Sequence, residues 1–370
     1  LNAPLYHADG QILDEVYVHG SFLQSKMYEA GVVCSDCHEP HTSQIKFQGN
    51  GLCAQCHLPA TFDTASHHHH VEGSAGAQCV SCHMPEKTYM GVDDRRDHSM
   101  RVPRPDLTVT SGVPNACTQC HAGRSAAWAA DAVARWGVRP DDQEARIVEA
   151  FRQGQRGNPL SFNELATFAL NPASNSIRRS TALEILGSAA APQTPRVSEM
   201  FLRGTDPMLR ASAVRSLADF PLVQRYRILR PFLNDQNRTV RHELAKALAE
   251  VPLAQVPPED QASLQTLFDE FLSIEIQDAD VPGVLLSLGQ FFAARRDTVR
   301  AEEFLREALA IDPTDGPAHL NLADLMRAQG RDAEARQVLK RAIVIRPEDP
   351  DLSAALGLLE YRSEIGRAHV

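Results

Sequence analysis

Eight cysteines stand in four repeats of one spacing, each closed by a histidine: Cys34-Ser-Asp-Cys37-His38, Cys53-Ala-Gln-Cys56-His57, Cys79-Val-Ser-Cys82-His83 and Cys117-Thr-Gln-Cys120-His121. Two thiols so spaced can form thioethers with the two vinyl groups of one porphyrin, and the next imidazole then reaches the iron from one face. The chemistry expected is therefore that of four covalently attached haem c groups, with His38, His57, His83 and His121 as proximal ligands. Zinc knuckles use the same Cys-x-x-Cys spacing but have no use for a histidine directly after each second cysteine. Disulfides within Cys-x-x-Cys are redox-active rather than structural, and these pentads lie too close together to be separate thioredoxin-like units.

A low-spin haem needs a second axial ligand, and histidine keeps the potential low relative to methionine. His41 is too near His38 to cap the same iron, so it is expected to serve a neighbouring haem. The run His67-His68-His69-His70 precedes the third pentad and can offer ligands from His67 or His70, and His98 lies between the third and fourth pentads. His19, or failing it His7, completes the supply. Met27, Met84, Met90 and Met100 are the rival ligands, although methionine more often packs against a porphyrin than ligates its iron.

Residues 1–124 carry 8 Lys+Arg against 13 Asp+Glu, a net of −5, to which haem propionates add negative charge. So acidic a segment excludes nucleic acid as a natural partner. Arg95, Arg96, Arg101, Arg104 and Lys26 read instead as propionate partners. Thioether formation takes place outside the cytoplasm, so an exported protein is expected, periplasmic or at the cell surface. The sequence contains no membrane-spanning run and opens at Leu1 without a signal peptide, which reads as a missing N-terminus. The last six residues, 365–370, match what a sequencing adapter encodes in frame and are set aside as a probable sequence artefact.

Successive haem histidines are 19, 26 and 38 residues apart. Segments this short cannot build a conventional core around four macrocycles, so the haems must supply most of the apolar interior and lie nearly in contact. Beyond residue 124 the composition turns to Ala, Leu, Arg and Glu, and the expected fold class is mainly α: a loop-rich multihaem module followed by an α-solenoid. Trp128 to Trp136 begins an amphipathic helix closed by Gly137. A period of 31–32 residues then links Arg178, Arg210 and Arg241, each leading into an apolar helical run, as in HEAT-like pairs where an Asp caps a helix and the Arg reaches back across the turn. A second period of 34 relates Leu288, Leu322 and Leu356, Ala308 and Ala342, and Pro313 and Pro347, the spacing of tetratricopeptide repeats at 282–315 and 316–349 with a third begun at 350. The expected domains are thus 1–124, tetrahaem; 125–275, HEAT-like; and 276–364, tetratricopeptide repeats.

Cys79-Val-Ser-Cys82-His83-Met84-Pro85 followed by Asp97-His98 and the fourth pentad resembles the closing haem sequence of the pentahaem nitrite reductases and the octahaem hydroxylamine oxidoreductase-like proteins. Asp9-Gly10-Gln11-Ile12, the run from Gly20 to Tyr28 and that from Arg101 to Leu107 are similar to large exported multihaem cytochromes with C-terminal tetratricopeptide repeats. The latter resemblance implies further haems before Leu1. The catalytic pentad of nitrite reductases ends in Lys, and no pentad here does. The expected function is electron carriage along the haems, with the helical repeats docking a redox partner or sister cytochrome. The alternatives are a haem oxidoreductase of nitrite, hydroxylamine or a similar small substrate, and an assembly module for a cytochrome array.

Overall fold

The computed structural model describes residues 5–14 and 16–368, excepting the side chains of 363–368. The chain is mainly helical and packs as two units, 1–219 and 220–370. The tail set aside at 365–370 lies outside the residues whose side chains are described, although helical backbone runs on to Ala368.

In the first unit, a bridge between Tyr6 and Ile12 closes a loop that turns at Gly10, φ +88°. A Cβ on Gly10 would stand 2.0 Å from Gln24 Oε1, so both the backbone and the neighbour require glycine there. The run from Gly20 to Tyr28 spans two short helices, α1 (His19–Phe22) and α2 (Lys26–Glu29). Ser25 parts them, because its extended backbone ends the first turn and its Oγ accepts the Tyr28 N–H at 3.0 Å to cap the second.

Each pentad is wound into about one helical turn: α3 (Cys34–Cys37), a 3₁₀ turn at Cys53–Gln55, then, after α4 (Pro59–Phe62) and α5 (Ala65–His68), α6 (Cys79–His83). The hairpin β1 (Glu86–Tyr89) and β2 (Asp93–Arg96) follows, turning through Met90 and Gly91 at positive φ. After α7 (Pro105–Ser111) comes the fourth pentad, α8 (Cys117–Cys120). None of residues 26–76 is buried, though the chain there holds six short helical turns in a defined path. Polypeptide alone gives this stretch no core.

The helices beyond begin with α9 (Ala126–Arg135), capped by the Ser125 hydroxyl and followed by Gly137 at φ +87°. Then come α10 (Asp142–Gly154), α11 (Phe162–Leu170), α12 (Ser176–Ser188), α13 (Thr194–Leu202) and α14 (Pro207–Arg215). Side chains of Asp141, Asn175 and Asp206 cap α10, α12 and α14. The haem-bearing segment is fastened to this helical part: α7 packs on α9 and α10, Leu107 and Val113 share a core with Val148, and Asn175 donates to the Gln24 carbonyl at 3.2 Å.

The second unit starts with α15 (Leu222–Leu229), α16 (Arg238–Ala247) and α17 (Pro258–Glu275), and a bidentate Arg241–Glu270 pair at 2.6 and 2.7 Å ties α16 to α17. Arg210 in the first unit and Arg241 here make one local pattern, each Nη1 reaching back across the turn to two backbone carbonyls: Gly204 and Thr205, Asp235 and Gln236. Five helices complete the chain: α18 (Pro282–Ala294), α19 (Thr298–Ile311), α20 (Gly316–Ala328), α21 (Asp332–Ile345) and α22 (Pro350–Ala368). The starts of α18, α20 and α22 fall on the 34-residue period, and Leu288 and Leu322, Ala308 and Ala342 are buried at equivalent positions. Gly289 permits the closest approach of α18 to α19, since a Cβ there would lie 2.7 Å from Leu305 Cγ.

Candidate haem sites

The pentad turns expose or half-expose their thiols, all of them free, and the first two pentads lie wholly within the stretch that has no buried residue. Burial raises the thiol pKa of Cys37, Cys79, Cys82 and Cys117, and pushes that of Cys53 up to about 11. The smaller causes show which pentads are neighbours. Cys56 acts on Cys37; Cys79 acts on Cys53; Cys117 and Cys120 act on Cys82. Each pentad thus has its thiols beside those of the next along the chain.

Three pairs of imidazoles face each other at one spacing. Ring centres are 6.3 Å apart for His38 and His98, 6.2 Å for His67 and His83, and 6.1 Å for His70 and His121, with planes inclined by 23°, 15° and 36°. Rings in van der Waals contact would be nearer. Two imidazoles on opposite faces of one iron stand roughly 6 Å apart, about 2 Å for each metal–nitrogen bond and about 1 Å from nitrogen to ring centre.

The tautomers agree with this spacing. Nδ1 of His38 lies 2.8 Å from the Ser43 carbonyl, that of His83 2.7 Å from the Arg101 carbonyl and that of His98 2.8 Å from the Arg96 carbonyl, while that of His70 meets the His68 carbonyl. A carbonyl oxygen only accepts, so Nδ1 carries the proton and the lone pair is left on Nε2, the state in which a backbone-anchored histidine binds a metal. His67 has its pKa lowered, chiefly by burial and then by His83, which favours the neutral, ligating form. The coreless stretch, the paired rings and the fixed tautomers together fit haem c. Among the described residues no three His, Cys, Asp or Glu side chains converge on a metal cage.

Of the histidines named from the sequence, His98, His67 and His70 are therefore brought to proximal histidines. His41 is exposed, with its N–H bound to Glu39 Oε2 at 2.9 Å, and His19 opens α1; neither belongs to a pair of this spacing. The ring against His57 is that of Phe62, at 5.6 Å and nearly perpendicular, and Phe62 also meets His67 at 5.5 Å. His7 lies in the Tyr6–Ile12 loop, where burial lowers its pKa.

The arginines expected to hold propionates have protein partners. Arg101 spreads its guanidinium over Ser99 Oγ, the Asp9 carbonyl and Gln24 Oε1 at 2.7–3.0 Å; Arg96 pairs with Glu86, Arg95 with Asp93, and Arg104 with Asp106. Arg101 also holds His83: its carbonyl accepts from His83 Nδ1 and its N–H donates to the His83 carbonyl at 3.0 Å. Sequence reading missed this reciprocal link and the β1–β2 hairpin that sets it up, whose signal was the positive-φ candidate pair Met90-Gly91.

Two family profiles match parts of the chain: a doubled CXXCH motif at residues 26–62 and a tetratricopeptide repeat at 292–359. The first marks covalent haem c attachment, as in multihaem cytochromes c; the second marks repeats that generally mediate contact between proteins. No curated protein and no solved structure is significantly similar. Among the described residues no helix is long and apolar enough to cross a membrane.

Proposed function

We propose that the chain is an exported multihaem electron carrier holding four haem c groups, one on each pentad. The observation that carries this reading is the set of three imidazole pairs at 6.1–6.3 Å, which supports His98 as the ligand opposite His38, His67 opposite His83, and His70 opposite His121. When bound, haem c supplies reversible one-electron chemistry. The cysteines of the pentads would hold the groups, the paired histidines would ligate three of them, and four of the imidazoles are tied to backbone carbonyls that would keep them in place. The neighbouring thiols support a spatial order that follows the chain: first, second, third, fourth. The helical repeats, HEAT-like pairs and then tetratricopeptide repeats, dock a redox partner or sister cytochrome.

A second reading keeps the resemblance to the nitrite reductase and hydroxylamine oxidoreductase-like proteins, with the second site as its centre. It is favoured by Phe62, not an imidazole, being the ring beside His57. Electron paramagnetic resonance of the oxidised haem-loaded protein separates the two. Four low-spin haems support the carrier. A high-spin signal that nitrite or hydroxylamine converts to low spin, and that survives in His98→Ala, His67→Ala and His70→Ala variants, supports an enzyme acting at the second site. A protein carrying no covalent haem would refute both.

A further inference from the structure

The chain has two tryptophans, both borne by α9 or its cap, and both stand against histidines of the fourth site. Trp128 lies 4.9 Å from the ring of His121, tilted at 55°. Trp136, eight residues on and so roughly 12 Å along the helix, stacks flat on His69 at 4.2 Å and 13°. His69 ends α5 in the left-handed conformation, φ +55° and ψ +29°, which is uncommon for a residue with a side chain. That turn reverses the chain so that His70, next in line, faces His121. The two ligands differ in how they are held. His121 follows Cys120 and is fixed by the pentad's covalent attachment. Apart from its bonds to His68, His70 is placed by the His69 turn.

We propose that Trp136 and His69 are positioning residues: their stack clamps the left-handed turn and thereby presents His70 to the fourth iron. The inference rests on the assignment of His70 as the ligand opposite His121. It makes α9 a brace across the site, rooted beside the proximal histidine and closing on the distal turn.

The test compares variants of the haem-loaded full chain by electron paramagnetic resonance in the ferric state and carbon monoxide stoichiometry in the ferrous state, with far-ultraviolet circular dichroism as the folding control. His70→Ala is expected to add one high-spin haem, and one bound carbon monoxide, per chain over the parent. Trp136→Ala is expected to add a large fraction of the same, and Trp136→Phe, which keeps a stacking ring, little. Trp128→Ala should leave the count at the parent value because covalent attachment holds His121. His69→Gly keeps the turn and removes the stacked ring, so it reads the clamp even where Trp136→Ala fails to fold. If His70→Ala leaves the count unchanged, the ligand assignment fails and the inference with it. If His70→Ala raises the count while Trp136→Ala and His69→Gly do not, the assignment stands and the clamp is refuted.

Discussion

A single methyl group should open the fourth site. Gly76 lies under the ring of His70, and an ideal Cβ built on it would stand 2.2 Å from Cδ2, 2.5 Å from Cγ and 2.8 Å from Nε2. Gly76 has no positive φ, so alanine suits the backbone and the effect of the substitution is confined to the clash. Ordinary contact begins near 3.4 Å, so the ring must retreat by 3.4 − 2.2, or about 1.2 Å. Metal–ligand bonds keep their length to within about 0.2 Å, so the required shift is several times what the bond tolerates. Overpacking of this kind costs about 1–3 kcal/mol where neighbours must absorb it, and releasing the histidine is the alternative to that strain. Gly76→Ala is therefore expected to convert one haem per chain from low to high spin and to raise carbon monoxide binding by about one equivalent, with circular dichroism unchanged. Gly51→Ala is the control, its Cβ meeting Phe47 at an ordinary 3.9 Å. A folded Gly76→Ala protein with the parent's spin state and carbon monoxide count would show that His70 is not the ligand these distances make it.

Other outcomes follow from the same geometry. His98→Ala and His67→Ala should each add one high-spin haem, and the double variant two, since the two rings face different pentads; a joint effect of one haem would mean that they serve the same iron. In the second unit, hydrogen bonds from Arg241 hold the Glu270 carboxyl below its ordinary 4.5, so its contribution is complete above that value and is lost as pH falls through the lower folded-state value. Glu270→Gln should accordingly lower stability by about 1 kcal/mol at neutral pH and flatten the acid limb of a denaturation profile; identical limbs in parent and variant would refute the link. Gly289→Ala drives a methyl to within 2.7 Å of Leu305 Cγ and should cost about 1–3 kcal/mol, read as a lower denaturant midpoint by circular dichroism, with an unchanged midpoint as the contrary result.

What could be read from the sequence divides by range. The 34-residue period was legible because each tetratricopeptide helix buries the same small set of positions, so Leu288 and Leu322 or Ala308 and Ala342 recur whatever lies between. The pentads were legible for a similar reason, as chemistry confined to five consecutive residues. Distal pairing was not, because it depends on where loops return. His41 and His98 were candidates on the same footing, yet Glu39 fastens the backbone at His41 into an exposed turn. His98, sixty residues from His38, reaches it because the β1–β2 hairpin folds the intervening chain back and the Ser21 hydroxyl accepts the His98 N–H at 3.2 Å. The partners of Arg101 were no more legible: besides Ser99, its guanidinium reaches the Asp9 carbonyl and Gln24 Oε1, which are distant in sequence.

The order of the sites rests on a constraint that neither the spacing nor the ring pairs supply alone. Connections of 19, 26 and 38 residues are each long enough to skip a neighbour, so chain order need not be spatial order. The thiols favour one order. Cys56 is among the groups that raise the Cys37 pKa, Cys79 among those that raise Cys53, and Cys117 and Cys120 among those that raise Cys82, so each influence runs between pentads adjacent in the chain. The ends of such a row differ. The first pentad is followed by an exposed loop, whereas the fourth is braced by α9, whose N-terminal residues are tied to it through the Arg124 N–H on the His121 carbonyl at 2.9 Å. The fourth pentad thus adjoins the helices that α9 begins. Reduction followed site by site in the His98→Ala and His70→Ala variants tests the order of the sites: each should shift the potential of one terminal site and leave the opposite end unmoved, and a shift at both ends from either variant would contradict the linear order.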